Sequence, residues 1–145
     1  MKINLKRLSD TANLPTRGSE YAAGYDLYAD IEKEVVIKKH ETAKISTGIA
    51  VEIPADYFGG IFARSGLATK EGLRPANCTG VVDSDYRGEI KVSLHNDSEE
   101  VRTIVPKQKI AQIVIMPYLD VTYDVVDNLD ETDRGEGGFG STGKL

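Results

Sequence analysis

Short segments with the alternation of β-strands dominate the pattern of hydrophobic and polar positions. Residues 89–96 alternate throughout, so that Ile90, Val92 and Leu94 fall on one face. Val and Ile together outnumber Leu, which favours strands over helices. Further strands are predicted at residues 2–8, 34–38, 42–53, 101–105, 109–116 and 121–126.

Turn residues, among them Gly59-Gly60, separate these segments, and only residues 64–71 fit a short helix. Many short strands at regular spacing predict an all-β fold, a jelly-roll-like β-barrel with one short helix. After Val126 the chain has few core-forming residues and several of its 14 glycines. We therefore expect a β-barrel domain over residues 1–126 and a flexible, glycine-rich C-terminal arm over 127–145.

Composition narrows the class of protein. The chain has 145 residues, the size of one domain, and 23 acidic against 18 basic residues give a net charge of -5. This balance disfavours broad nucleic-acid binding, which needs a basic face. No apolar signal region or segment of membrane-spanning length is present, so we expect a soluble cytoplasmic protein without a membrane partner. Cys78 is the only cysteine, which excludes an internal disulfide.

The glycine-rich arm carries groups suited to a nucleotide. Arg134 opens it, Phe139 lies among the glycines, and Ser141 and Thr142 offer hydroxyls beside accessible amides. The simpler interpretation is a disordered terminus. Residues 138–144 nearly match a phosphate loop, but Leu145 stands where that pattern requires Ser or Thr. Because a phosphate loop also opens a helix, we do not expect a P-loop fold.

The sequence Arg64-Ser65-Gly66 follows an apolar run at the predicted start of the helix. A guanidinium, a hydroxyl and backbone amides at such a turn are suited to binding an anion. The alternative is an ordinary helix cap with a surface arginine.

Residues 80–89 are read as a strand end followed by a hairpin connection that presents Asp83, Asp85 and Tyr86 together. A carboxylate there could take a proton from water as a general base, and a tyrosine could pack on a sugar or base. The alternative is a solvated acidic turn with a packing tyrosine.

Two polar residues lie among apolar neighbours. Asp26 must be hydrogen-bonded locally or recruited by a cation. Gln112 shares a strand face with Ile110 and Val114 and needs a polar partner, which a neighbouring strand could supply.

In their order and spacing, the five segments at residues 22–29, 63–68, 80–89, 109–115 and 134–143 resemble the five motifs of the homotrimeric dUTP diphosphatase (dUTPase) family. The third, Gly-Val-Val-Asp-Ser-Asp-Tyr-Arg-Gly, and the fifth, Arg-Gly-Glu-Gly-Gly-Phe-Gly-Ser-Thr-Gly, are highly specific. The resemblance implies a jelly-roll β-barrel and a homotrimer with active sites shared between subunits. It also implies hydrolysis of dUTP to dUMP and pyrophosphate, with Mg²⁺ on the triphosphate.

The resemblance also implies roles for single residues. Asp83 matches the general base that activates the water attacking the α-phosphorus, and Tyr86 matches the residue that packs on deoxyribose. Asp26 matches an acid that faces the metal through water. Substrate-binding positions are implied for uracil at Asn77, Val81, Val82 and Lys91, for phosphates at Arg64, Ser65, Gly66 and Gln112, and on the arm at Arg134, Phe139, Gly140, Ser141 and Thr142. The arm would complete a neighbouring subunit's site, with Phe139 over the uracil.

Three other functions compete with this one. A dCTP deaminase shares the fold, but its family places a catalytic glutamate where this chain has Ser93. A non-catalytic nucleotide-binding regulator would not need the complete motifs. A structural jelly-roll subunit would explain the strands but not the five polar segments.

Overall fold

The computed structural model describes residues 1–138 and contains twelve strands and one short helix within that range. The strands are β1 (Asn4–Arg7), β2 (Thr16–Arg17), β3 (Tyr25–Tyr28), β4 (Val35–Ile37), β5 (Thr42–Ser46), β6 (Ile49–Glu52), β7 (Tyr57–Phe62), β8 (Leu73–Pro75), β9 (Gly80–Val82), β10 (Lys91–Asn96), β11 (Arg102–Ile104) and β12 (Lys109–Pro117). The helix is a π-helical turn over Leu67–Glu71. No helix among the described residues is long and apolar enough to cross a membrane.

The strands form one large sheet and three smaller ladders. The large sheet has the order β2-β3-β12-β7-β9, with the long strand β12 antiparallel to both β3 and β7. The smaller ladders are β5-β10-β8, β1-β6 and β11-β4. This is the predicted all-β, jelly-roll-like fold, although the ladders do not close into one continuous barrel across the residues described.

The apolar faces of these ladders meet in one core. Strand β10 shows how the sequence dictates this packing: the side chains of Val92 and Leu94 are buried, as is Ile90 just before the strand. The predicted face of the alternating segment is therefore confirmed. Asn96, at the end of the same face, is fully buried, and its amide group donates to the carbonyls of Ile37 and Glu100.

The predicted strand at residues 42–53 is divided in two by a turn at Gly48. Gly48 adopts φ 68°, and a Cβ there would lie 2.3 Å from Oδ2 of Asp30. The amide of Gly48 donates to the carboxylate of Glu89, so the break between β5 and β6 is held by side chains from elsewhere in the fold.

The reading of Gly59-Gly60 as a turn is wrong, because both glycines lie inside β7. A Cβ on Gly59 would approach side-chain methyl groups of Ile53 and Ile113 to 2.9 Å, so close packing explains the glycine. The sequence pattern also failed to predict the short strands β2, β3 and β8. The helix predicted within residues 64–71 is confirmed in shortened form.

The strand predicted at residues 121–126 is wrong. No strand follows Pro117 within the described range, and Tyr123 and Val125 are exposed. Their alternation with Thr122 and Asp124 suits a strand, but no other segment of residues 1–138 pairs with them.

Candidate active site

Asp26, on β3, lies at the centre of a small group of charged residues. Its Oδ1 accepts a hydrogen bond from Nε of Arg64 at 2.8 Å, and its Oδ2 lies 2.8 Å from Nζ of Lys109. The hydrogen bond that Lys109 donates to Asp26 raises the pKa of the lysine. Of the two alternatives for this acid, recruitment by cations is the one observed. We call Asp26, Arg64 and Lys109, together with the neutral Gln112 beside them, the charged cluster.

Gln112 joins this cluster through the register of β12. It is the Cα partner of Asp26 on one side and of Phe62 on the other. Its Nε2 donates to the carbonyl of Ala63 at 2.9 Å, just beyond β7, which confirms that a neighbouring strand region supplies its polar partner. Gly24 makes room for it, since a Cβ on Gly24 would lie 2.1 Å from Oε1 of Gln112.

Arg64 presents unused donors beside an open cavity. It bonds Asp26 through Nε, and no hydrogen bond within residues 1–138 engages either of its Nη groups. The adjoining cavity has a volume of about 340 Å³ and is also lined by Gly66, Lys70 and Lys109. Ser65 and Gly66 are exposed, and a Cβ on Gly66 would meet nothing within 4 Å. This side of the molecule is therefore suited to an anion that approaches the backbone closely.

The predicted hairpin connection after Val82 is wrong, although its residues do lie together. Strand β9 pairs with β7, whereas β10 pairs with β5 and β8, so the loop over residues 83–90 joins two different sheets. It borders a cavity of about 430 Å³ lined by Lys44, Val81, Val82, Asp83, Tyr86, Glu89, Ile90 and Lys91. We call this space the Asp83 cavity.

The loop that carries Asp83 is fixed by its own residues. The amide of Tyr86 donates to the carbonyl of Asp83 at 3.2 Å, and the Tyr86 hydroxyl donates to the carbonyl of Glu89 at 3.0 Å. A Cβ on Gly88 would lie 2.5 Å from that hydroxyl, so glycine is required for the tyrosine to take this position.

Glu89 connects the end of this loop to the turn between β5 and β6. Its carboxylate accepts the amide of Gly48 at 3.0 Å and lies 3.1 Å from Nζ of Lys91. Burial alone would raise the pKa of Glu89, but the bonds from Gly48 and Lys91 outweigh it and lower the pKa below its ordinary value. Glu89 therefore stays ionised and holds the loop at neutral pH.

A second cavity of about 300 Å³ adjoins the Asp83 cavity. Residues of β7, β8, β9 and β10 and of the turn after β8 line it: Ile61, Pro75, Ala76, Asn77, Gly80, Val81, Val82, Lys91, Val92 and Ser93. Val81, Val82 and Lys91 border both spaces. The predicted residues Asn77, Val81, Val82, Asp83, Tyr86 and Lys91 thus form one connected region. We call the second space the Asn77 cavity.

The region around Asp83 and Asn77 and the charged cluster lie toward opposite ends of β7. In the β7–β9 register, Val82 is the partner of Gly59, and Asp83 continues beyond it. Arg64 continues beyond the other end of β7, after Phe62. At about 3.3 Å per residue, roughly 15 to 20 Å separates the backbone positions of Asp83 and Arg64 within one chain.

The arm contributes little to either region within the residues described. Arg134 lies in a local turn, where its Nε donates to the carbonyl of Gly137 at 2.8 Å. It contacts neither the charged cluster nor the Asp83 cavity. Phe139, Gly140, Ser141 and Thr142 lie outside the described residues.

Sequence reasoning missed Lys109, Lys44 and Glu89. Lys109 is the first residue of the strand that carries Gln112. Lys44, on β5, is the Cα partner of Ser93 on β10. Their roles depend on which strands pair, and the alternating pattern of each strand does not specify its partner.

No group of three or more His, Cys, Asp or Glu suited to hold a metal occurs among residues 1–138. Asp26 is one carboxylate with two cationic partners. This donor set does not form a protein-built cage for a metal. It fits Mg²⁺ that is held mainly by substrate phosphates, with a carboxylate nearby.

The similarity to known proteins extends over both the charged cluster and the two cavities. A family model described as dUTPase matches residues 10–143. The deoxyuridine 5'-triphosphate nucleotidohydrolase of Orientia tsutsugamushi (strain Ikeda) is 44% identical over 99% of both chains. A mutant dUTPase of Staphylococcus bacteriophage 80alpha, solved with dUpNHpp, is 29% identical over 98% of each chain, with a TM-score of 0.89. A mutant dUTPase of phage phi11 of S. aureus, described as revealing coordination of a structural Mg(II) ion, is 25% identical, covers 90% of this chain and 100% of its own, and has a TM-score of 0.81.

Proposed function

This chain belongs to the dUTPase family, and from that membership we propose that it hydrolyses dUTP to dUMP and pyrophosphate by attack of water on the α-phosphorus. The family match over residues 10–143 is the observation that carries this proposal. The enzyme class, dUTP diphosphatase, follows from the same match. In the cell this reaction would limit the incorporation of uracil into DNA and supply dUMP for dTMP synthesis.

Asp83 is the proposed general base. It would accept a proton from water as the water oxygen bonds to the α-phosphorus, and the bond to the oxygen bridging the α- and β-phosphates would break. Its position at the start of a fixed loop, on the border of an open cavity, supports this role. A positioned proton acceptor accelerates such steps about a hundredfold to ten-thousandfold.

The Asn77 cavity is the proposed uracil site. Asn77 and the backbone of Val81, Val82 and Lys91 would read the base, and cytosine would be rejected because its exocyclic amine reverses the hydrogen-bond polarity. A tight pocket would reject thymine by its methyl group. Tyr86, held by Glu89, would pack on deoxyribose at the junction with the Asp83 cavity.

The charged cluster, together with the neighbouring Ser65 and Gly66, is the proposed phosphate site. Arg64, Ser65, Gly66 and Gln112 would bind phosphate oxygens, and the unused Nη donors of Arg64 support this. Mg²⁺ would neutralise triphosphate charge when bound. Asp26 would face it through its water shell while orienting Arg64. Neutralisation and positioning account for most of the catalysis of phosphoryl transfer.

We infer that more than one copy of the chain contributes to this site. Backbone positions roughly 15 to 20 Å apart along β7 favour the supply of the base and the phosphate-binding arginine by different copies over their supply by one copy. We therefore propose a homotrimer in which Asp83 and Arg64 of each site belong to different copies. Closed ring symmetry gives three such sites.

The proposed domain organisation assigns residues 1–126 to the β-barrel and 127–145 to an arm that completes a neighbouring copy's site. Arg134, Gly140, Ser141 and Thr142 would bind phosphates there, and Phe139 would stack over uracil. The unpaired, exposed segment after Pro117 supports an arm that leaves its own barrel.

Pyrophosphate release from dUTP, dCTP, dTTP and UTP in the presence of Mg²⁺ tests the function, with Asp83→Asn as the control. We expect dUTP to be strongly preferred over the other three nucleotides, and its turnover to fall by at least about a hundredfold in the variant. Equal turnover of dCTP or dTTP would contradict uracil specificity, and wild-type rates in the variant would contradict the base. Deamination is disfavoured because position 93 is serine.

A further inference from the structure

Arg74 and Asp97 form a two-bonded ion pair beside the Asn77 cavity. Arg74 lies on β8, and Asp97 follows β10, the neighbouring strand. Nε of Arg74 donates to Oδ2 of Asp97 at 2.6 Å, and Nη2 donates to Oδ1 at 3.1 Å. Paired hydrogen bonds of this kind fix the plane of the guanidinium as well as its position.

The third nitrogen of Arg74 reaches into the loop over residues 75–79. Its Nη1 donates to the carbonyl of Pro75 at 3.1 Å and to that of Ala76 at 3.5 Å, and it lies 3.8 Å from Sγ of Cys78. The carbonyl of Pro75 also accepts the amide of Cys78 at 3.0 Å. One guanidinium therefore holds both arms of a tight turn whose backbone takes a positive φ of 60° at Cys78.

This turn forms one wall of the Asn77 cavity. Pro75, Ala76 and Asn77 line it together with residues of β7, β9 and β10. Arg74 itself does not line the cavity. Because hydrogen bonds weaken steeply with distance and angle, a small shift of this turn changes the contacts that Asn77 can make with a base.

We propose that Arg74 is a positioning residue that sets the shape of the base pocket by holding the turn at residues 75–79, and that it thereby contributes to discrimination between pyrimidines. This inference rests on the proposed function, which places the base in the Asn77 cavity. Arg74 acts through the turn, since it does not itself line the Asn77 cavity.

Substitution of Arg74 by lysine distinguishes the ion pair with Asp97 from the contacts with the turn. Lys at position 74 could keep an ion pair with Asp97, but a single ammonium group cannot form the paired bonds and reach the turn at the same time. The side chain of Arg74 is 35% exposed, and exposed ion pairs contribute little to stability. We therefore expect Arg74→Lys and Arg74→Met to fold and assemble like the wild type.

The experiment measures kcat and KM for dUTP, dCTP and dTTP in the wild type, Arg74→Lys and Arg74→Met. Both variants should raise KM for dUTP and lower the preference for dUTP by about five- to tenfold, the effect of losing one or two hydrogen bonds, with kcat almost unchanged. Thermal midpoint and molecular mass in solution check folding. Lys39→Met is the matched control, because it removes one cation and one exposed ion pair, with Glu99, away from the cavity.

The outcomes separate the two proposals. Unchanged discrimination in Arg74→Met, or wild-type behaviour of Arg74→Lys, would overturn the role of Arg74 alone. A fall in kcat with unchanged KM and discrimination would also overturn it. Equal hydrolysis of all three nucleotides by the wild type would overturn uracil specificity itself, and the inference with it.

Discussion

The separation of Asp83 from Arg64 predicts that two inactive variants restore each other. In Asp83→Asn every site lacks its base, and in Arg64→Met every site lacks its phosphate-binding arginine. If each site takes Asp83 from one copy and Arg64 from another, a mixed trimer contains some sites in which both residues are intact. Neither variant alone contains such a site.

The magnitude follows from the symmetry. In trimers assembled at random from equal amounts of the two variants, a site is intact when one copy supplies Asp83 and its neighbour supplies Arg64. The chance is about one half for each position, so about one quarter of the wild-type activity returns. The same site sharing predicts about one quarter when wild type is mixed with the double variant.

The assay is pyrophosphate release from dUTP after the two variants are co-refolded or co-expressed with different tags. The wild type mixed with the double variant is the control, since it contains the same mutations in a different arrangement. If both residues acted from one copy, the two single variants would give no activity, and the control would give about one half. That pair of results would refute the shared site.

Three further predictions concern Gly24, Asp30 and the arm. Gly24→Ala places a Cβ 2.1 Å from Oε1 of Gln112; displacement of that side chain should raise KM for dUTP about five- to tenfold, and an unchanged KM would contradict the role of Gln112. Burial opposes ionisation of Asp30, but hydrogen bonds from neighbouring hydroxyls and Lys107 lower its pKa below the ordinary 3.8. Asp30→Asn should therefore lower the free energy of unfolding fully at pH 7 and by less as the pH falls below about 4. Urea unfolding of the wild type and the variant measures this difference, and an equal difference at pH 7 and pH 3 would contradict the prediction. Truncation before Arg134 should leave a folded trimer with little turnover, and full activity would show that the arm is dispensable.

The individual strands were the part of the fold most accessible from the sequence. Period-2 alternation in β10 identified both the strand and its buried face, because one face of a half-buried sheet must be apolar. The prediction of a turn at Gly59-Gly60 was wrong because glycine can mark close packing inside a strand as well as a turn. The prediction of a strand at residues 121–126 was wrong because alternation alone does not supply a pairing partner.

The candidate site was less accessible because its contacts join distant parts of the chain. The need for a partner at Gln112 was predictable from its apolar neighbours, but the identity of that partner depended on the β7–β12 register. Lys109 could not be assigned beside Asp26 for the same reason. The five motifs were recognisable in order, whereas the distance between Asp83 and Arg64 appeared only once β7 and β9 were paired.

Hydrolysis of dUTP in oxygen-18 water tests the central claim most directly. Under single-turnover conditions, mass spectrometry of the two products shows which phosphorus the water attacked. Attack on the α-phosphorus predicts one labelled oxygen in dUMP and none in pyrophosphate. Label in pyrophosphate, with unlabelled dUMP, would place the attack on the β-phosphorus and contradict the account.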